Sequence, residues 1–184
     1  MRIVVSGTHA SGKTTLIDDF VAANPEFERW GDPFELVEDA LDEPDASTFF
    51  EQLVSSGRRL TVTDAASRPV IAERGPIDFL AYLAALDSLR RGGRSATLFD
   101  RGYELTAEAM RHVDLLVVLP LHHRDALPVA DDEDPELRAA MDEALLELVD
   151  DAELVGEGTR VIEVSGDRAA RLAALERVLA DAGG

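Results

Sequence analysis

The chain has 184 residues, enough for one domain with a sizeable core and too few for two domains of ordinary size. Hydrophobic residues make up 46% and charged residues 30%, a composition that excludes a disordered chain or a fibre. With 37 acidic and 18 basic residues the formal charge is −19, and no basic stripe interrupts it, which argues against nucleic acid and anionic membranes as partners.

Seventeen of the eighteen basic residues are arginine, and the single lysine is Lys13. There is no cysteine, so disulfides and thiolate metal sites are excluded. The apolar run Ile3-Val4-Val5 is too short for the core of a signal peptide, and no stretch approaches the roughly 20 apolar residues of a membrane span. The expectation is a cytoplasmic protein.

In chain order, short apolar runs alternate with segments of helical period, the pattern of a parallel sheet covered by helices. Strands are expected at 2–6, 27–30, 69–72, 115–119 and 160–164. Helices are expected at 13–23, 33–41, 47–66, 76–91, 104–112, 135–150 and 168–180. Asp32-Pro33 and Asp134-Pro135 each put a capping acid before a proline at the first helical position, and Asn24-Pro25 ends the first helix. Gly92-Gly93 is expected to close the helix begun at Pro76. No repeat or linker divides the chain, which reads as one domain over 1–184.

The chemistry is concentrated after the first strand. Gly7, Thr8, His9, Ala10, Ser11, Gly12, Lys13 and Thr14 fit G-x-x-x-x-G-K-[ST] at every fixed position, between an apolar strand and a helix. Glycines let consecutive N–H groups turn inward around phosphate oxygens, and the helix N-terminus adds its positive end. Lys13 is expected to reach the β- and γ-phosphates of a bound nucleotide, Thr14 to place its hydroxyl on Mg²⁺, and Thr15 to touch the α-phosphate. That the one lysine of an arginine-rich chain stands here favours function over a flexible turn.

A second signal is Val70-Ile71-Ala72-Glu73-Arg74-Gly75-Pro76, an apolar strand ending in an acid, a base and a glycine turn into a helix. Ligands of open α/β sheets sit at the carboxyl ends of strands, so Glu73 and Arg74 should share the crevice of the phosphate loop. Glu73 is the candidate Mg²⁺ ligand with Thr14, and Arg74 a clamp for a phosphoryl oxygen or an acceptor hydroxyl. The competing reading is an acid–base pair that caps the next helix.

These residues, with Asp78-Phe79-Leu80-Ala81-Tyr82-Leu83 after them, resemble the small P-loop kinases, and more closely the short ATP-binding proteins labelled AAA domain that are related to deoxynucleoside kinases and ribosylnicotinamide kinase. The resemblance implies a three-layer α/β fold, with a five-stranded parallel sheet in the order 2-3-1-4-5, helices on both faces and a lid at about 121–138. It also implies phosphoryl transfer from ATP with Mg²⁺ to a small hydroxyl-bearing acceptor. It puts Asp32 where deoxynucleoside kinases carry the base for the accepting hydroxyl, although a plain helix cap explains Asp32 equally well. It makes Arg124 and Arg138 candidate lid arginines that neutralise the transferring phosphate, against the alternative of surface ion pairs.

Trp30, Phe34, Gln52 and Tyr82 are candidates to line an acceptor pocket, with core packing as the competing role of the aromatics. Arg58-Arg59 and Arg101 are further candidates for an acidic group on the substrate, and the adjacent His122-His123 reads as loop rather than as a metal site. The guanine-reading Asn-Lys-x-Asp and the Leu-Ser-Gly-Gly of transport ATPases are absent. Pro120, not an acid, follows the fourth strand, which leaves Glu73 as the carboxylate for the metal. An ATP-dependent kinase leads. A nucleotide-dependent switch or weak ATPase acting on a protein partner, and a fold member that only binds nucleotide, stay open, as does the choice between monomer and homodimer.

Overall fold

The computed structural model describes residues 1–33, 45–62, 68–91, 93–121 and 134–182. Five strands form one parallel sheet in the spatial order β2-β3-β1-β4-β5. They are β1 (Arg2–Ser6), β2 (Glu28–Trp30), β3 (Val70–Glu73), β4 (Leu115–Val118) and β5 (Arg160–Glu163). The register puts Val5 beside Glu73 on one side of β1 and Ser6 beside Val118 on the other. The carboxyl ends of β1 and β3 thus finish level, with β1 running straight into the phosphate-loop motif.

The period-2 alternation of the buried strands separates two cores. Val4, Val70, Ala72, Leu116 and Val118 face α2 (Ala46–Val62), α3 (Pro76–Ser88), α4 (Ser95–Met110), α5 (Pro135–Val149) and the short α6 (Ala152–Val155). Ile3, Val5, Ile71, Leu115 and Val117 face α1 (Lys13–Ala23) and α7 (Arg168–Ala182). Helices on both faces of a parallel sheet give the three-layer arrangement implied by the resemblance.

Strand and helix placement follows the sequence reading closely for β1, α1, α5 and α7. Three differences have physical causes. β3 runs one residue further than expected and takes in Glu73, because the acid is paired in register with Val5. α3 ends at Ser88, short of the expected Arg91; the backbone turns there through Arg90 at φ +56°. α4 begins at Ser95 and not at Glu104, and it has no side-chain cap to announce it. Its buried face is Ser95, Leu98, Gly102, Thr106, Ala109 and Met110, helically spaced but with only Leu98 and Met110 large and apolar. Gly102 is what lets α4 approach, since a Cβ there would lie 2.8 Å from Leu53 and 3.2 Å from Leu80. The expected helix at 33–41, the lid residues 122–133 with Arg124 and His122-His123, and Phe34 and Gly92 lie outside the described residues.

Candidate active site

The loop from Gly7 to Gly12 is built for close approach of backbone to a ligand. Gly7 has φ +150° and packs so tightly that a Cβ would sit 2.8 Å from the Leu119 carbonyl and from Ser11 Oγ. Gly12 caps α1 in the left-handed region at φ +92°. The first hydrogen bond of α1 runs from the Leu16 N–H to the Gly12 carbonyl, 3.1 Å, so the N–H groups of Lys13, Thr14 and Thr15 have no partner within the helix. This is the arrangement that accepts an anion.

Lys13 lies at the centre and is 4% exposed. Its Nζ donates to the Thr8 carbonyl at 2.7 Å, turned back onto its own loop. Burial, helped by the neighbouring Arg74 guanidinium, lowers the Lys13 pKa from 10.5 to about 7. A polyanion in the loop would favour the charged form again. Ser11 Oγ is buried beside Gly7 and has no hydrogen-bond partner among the described residues.

Glu73 arrives from the end of β3. Its Oε1 accepts from the Thr14 hydroxyl at 2.6 Å, and its buried Oε2 has no hydrogen-bond partner among the described residues; the closest cation is Arg29 Nη2 at 3.6 Å. A hydroxyl and a carboxylate, with one buried oxygen unsatisfied, make an oxygen donor set that suits a hard cation such as Mg²⁺. Among the described residues no three His, Cys, Asp or Glu cluster as a metal cage. Two protein oxygens completed by phosphates and water is the usual manner of binding Mg²⁺.

Arg74 is held in an unusual conformation, φ +63°, by its N–H bond to the Val5 carbonyl at 3.0 Å. The turn that follows is possible because residue 75 is glycine: a Cβ there would meet Val4 Cγ1 at 2.8 Å. The guanidinium is buried. It donates from Nε to Asp32 Oδ2 at 2.7 Å and from Nη1 to the Gly7 carbonyl at 3.3 Å, and lies 5.5 Å from the Tyr82 ring centre. Tyr82 in turn stacks on Phe49 at 4.4 Å. Asp32 therefore stands next to the phosphate loop as the partner of a buried cation, whatever it does for the chain after Pro33.

Two further arginines grip the loop. Arg138 of α5 donates from Nε to the His9 carbonyl at 3.0 Å, and Arg171 of α7 from Nη1 to the Ser11 carbonyl at 2.6 Å. Trp30 is buried and lines the crevice, with Arg59 4.1 Å over its ring, and Gln52 is buried on α2 without being part of that lining. Arg58 and Arg101 are elsewhere: Arg58 borders an outer groove on α2, and Arg101 covers Phe50.

The residue that sequence reading overlooked is Asp78. It is fully buried and accepts three hydrogen bonds: from Ser6 Oγ at 2.6 Å, the Gly7 N–H at 2.9 Å and the Gly75 N–H at 2.9 Å. Burial pushes its pKa up from 3.8, against the pull of Arg74 and these donors. One carboxylate thereby joins the start of the phosphate loop to the turn that carries Glu73 and Arg74. The only local signal was an acid at the third position of α3, the place for a reciprocal cap of Gly75. Arg171 carried no signal at all.

The three-layer sheet, its strand order and the loop between β1 and α1 define the P-loop fold of the small kinases. The AAA domain family model matches residues 2–171, and the chain belongs to that family. Thymidylate kinase from Candida albicans superimposes with a TM-score of 0.71 at 15% identity, covering 99% of this chain and 92% of that one. Deoxyadenosine kinase from M. mycoides, in a structure with dCMP and dCDP, gives 0.71 at 13% identity over 98% of this chain and 99% of that one. The same enzyme with bound dATP gives 0.68 at 13%, over 97% and 98%. No curated protein matches the sequence. Among the described residues no helix is long and apolar enough to cross a membrane.

Proposed function

We propose that the protein is an ATP-dependent phosphotransferase that moves the γ-phosphoryl group to a small hydroxyl-bearing acceptor. The observation that carries this is the second carboxylate: Asp32, fixed by Arg74 at 2.7 Å, stands beside the Lys13–Thr14–Glu73 set. A nucleotide switch needs the phosphate loop and its metal ligands. It has no need of a further acid held by a buried arginine at the edge of the loop. The kinase folds of the structural neighbours support the same reading.

In this reading the loop N–H groups and Lys13 hold the β- and γ-phosphates, with Nζ leaving the Thr8 carbonyl to do so. Thr14 and Glu73 would hold Mg²⁺, which when bound would supply neutralising charge to the phosphate oxygens. Asp32 orients the acceptor hydroxyl and takes its proton, while Arg74 fixes the carboxylate against the loop. Arg138, already on the His9 carbonyl, and Arg124 supply cationic charge to the transferring group. Transfer then depends on alignment and charge, without a covalent enzyme intermediate.

The test is ADP release from purified protein with Mg-ATP and a panel of nucleosides, sugars and vitamins. Release that depends on an acceptor, and that falls about 10²–10⁴-fold in Asp32→Asn with ATP binding kept, is the expected outcome. Slow turnover indifferent to every acceptor and to Asp32 would instead favour the switch.

A further inference from the structure

The carboxylate proposed to hold the metal has a competing cation built into the sheet. β2 lies beside β3 with Arg29 in register with Ile71, two residues before Glu73, so the alternation of strands puts these three side chains on one face. That face is the one covered by α1. Strand register and helix packing thereby bring Arg29 of β2, Asp18 of α1 and Glu73 of β3 to one corner. Arg29 Nη1 lies 3.1 Å from Asp18 Oδ1, and Nη2 lies 3.6 Å from Glu73 Oε2. A single guanidinium divides its fork between two acids from different elements.

The two contacts differ in kind. The Thr14 hydroxyl bonds Glu73 Oε1, and Arg29 stands off the other oxygen, Oε2, which is buried and has no hydrogen-bond partner among the described residues. At 3.6 Å this second contact is an attraction between charges, too long for a hydrogen bond. The Glu73 side chain is 5% exposed, so a cation close to it offsets the cost of burying its charge. Asp18 is 54% exposed and Arg29 38%, so their pairing lies on the solvent side of the corner. An arginine keeps its charge throughout and offers a separate nitrogen to each acid, so it can shift its weight from one to the other without gaining or losing a proton. A divalent cation taken up by Glu73 would meet the guanidinium as a like charge at the same carboxylate. On the reading that Thr14 and Glu73 hold the metal, we infer that Arg29 competes with Mg²⁺ for Glu73, and that Asp18 raises metal affinity by drawing the guanidinium aside. Arg29 and Asp18 are then positioning residues, acting on the metal only through Glu73.

The two residues should therefore move metal affinity in opposite directions, which a merely structural role would not do. The probe is Mn²⁺, a spin-active substitute for Mg²⁺, titrated into protein held in excess over a non-hydrolysable ATP analogue and followed by electron paramagnetic resonance, with no turnover required. Arg29→Gln should bind Mn²⁺ at least about threefold more tightly than the wild type, because the competing charge is gone. Asp18→Asn should bind it at least about threefold more weakly, because Arg29 then turns wholly to Glu73. In the double variant the Asp18 effect should vanish and the affinity should equal that of Arg29→Gln, since Asp18 acts only through the arginine. Both positions are more than a third exposed, and neither change removes a core side chain. An Arg29→Gln protein that binds Mn²⁺ no more tightly than the wild type would overturn the inference and leave Arg29 as a support for Glu73 or a surface ion pair. So would an Asp18→Asn effect that is absent, or that is the same with and without Arg29 and thus comes from the acid's own charge. Glu73→Gln separates this from failure of the metal-site reading. It should weaken Mn²⁺ binding at least about tenfold, and wild-type affinity in that variant would remove Glu73 as a metal ligand and the inference with it.

Discussion

The two sides of the crevice are built in different ways. On the phosphate-loop side the groups proposed to hold the nucleotide are mainly backbone N–H donors and one lysine, drawn from eight consecutive residues at a strand–helix junction. On the side proposed for the acceptor the groups are side chains whose partners come from far along the chain: Arg74 meets Asp32 across 42 positions, and Glu73 is tied back to Thr14 of the loop across 59. Backbone donors suit any polyphosphate, so that half tolerates change around it. A paired side-chain network sets charge and shape for one class of molecule. It therefore fails when either partner is removed, because the survivor is left buried and uncompensated.

The largest effect separating the halves should come from Lys13→Ala. Removing the loop's own lysine is expected to lower ATP turnover by about 10²–10³-fold, the usual consequence of losing one group that stabilises developing charge. The side proposed for the acceptor should be untouched, so the fluorescence of Trp30, which lines the crevice there, should respond to an acceptor found in the ADP-release panel as in the wild type. Wild-type turnover in this variant would remove the phosphate-loop assignment, and a changed Trp30 response would mean that the two halves are not separable.

Asp78→Asn tests the joint between them. An amide cannot accept from Ser6, Gly7 and Gly75 together, since its NH₂ would face an N–H or O–H donor, so a loss of about 2–3 kcal/mol in denaturant unfolding is expected. The pH dependence should change too. Asp78 has a folded pKa above its unfolded 3.8, so the stability it contributes through protonation is fully present below 3.8 and is lost as pH rises through the folded value. Unfolding curves recorded from pH 4 upward should show this decline in the wild type and lack it in the variant. An unchanged stability and pH profile would mean that the loop and the Glu73-Arg74 turn hold their positions independently.

How much of this was legible from sequence follows the same division. β1, the loop and α1 were readable to the residue, because local rules fix them: an apolar run, glycines where the backbone must turn left-handed, a helix without an early breaker. Glu73 and Arg74 were readable as a strand end, and their crevice followed from fold topology. Asp78 was not, since its role depends on Ser6 and Gly7, 72 and 71 positions away. α4 was half missed because its contact face relies on Gly102 and Thr106 where a stripe of large apolar residues would have marked it. α6 was missed as a single turn, marked only by Asp151, whose carboxylate caps Glu153 and Leu154. Asp32 shows the limit from the other direction: the cap motif was visible, but the ion pair with Arg74 had no local signature.

The smallest effect sharpens the comparison most. Arg171 joins the phosphate loop from α7, donating to the Ser11 carbonyl at 2.6 Å and to the Gly166 carbonyl at 2.7 Å, one of the few long-range side chains, with Arg138, that hold the loop's carbonyls from a distant helix. If the loop side is self-sufficient, Arg171→Ala should cost about 1 kcal/mol of stability. It should raise the KM for ATP by less than about tenfold with kcat unchanged, the signature of lost ground-state positioning. A fall in kcat comparable to that of Lys13→Ala would mean that the loop needs its side-chain clamps as much as the acceptor side does. The distinction between a backbone half and a side-chain half would then give way to a single network running from α7 through the loop and Asp78 to Arg74 and Asp32.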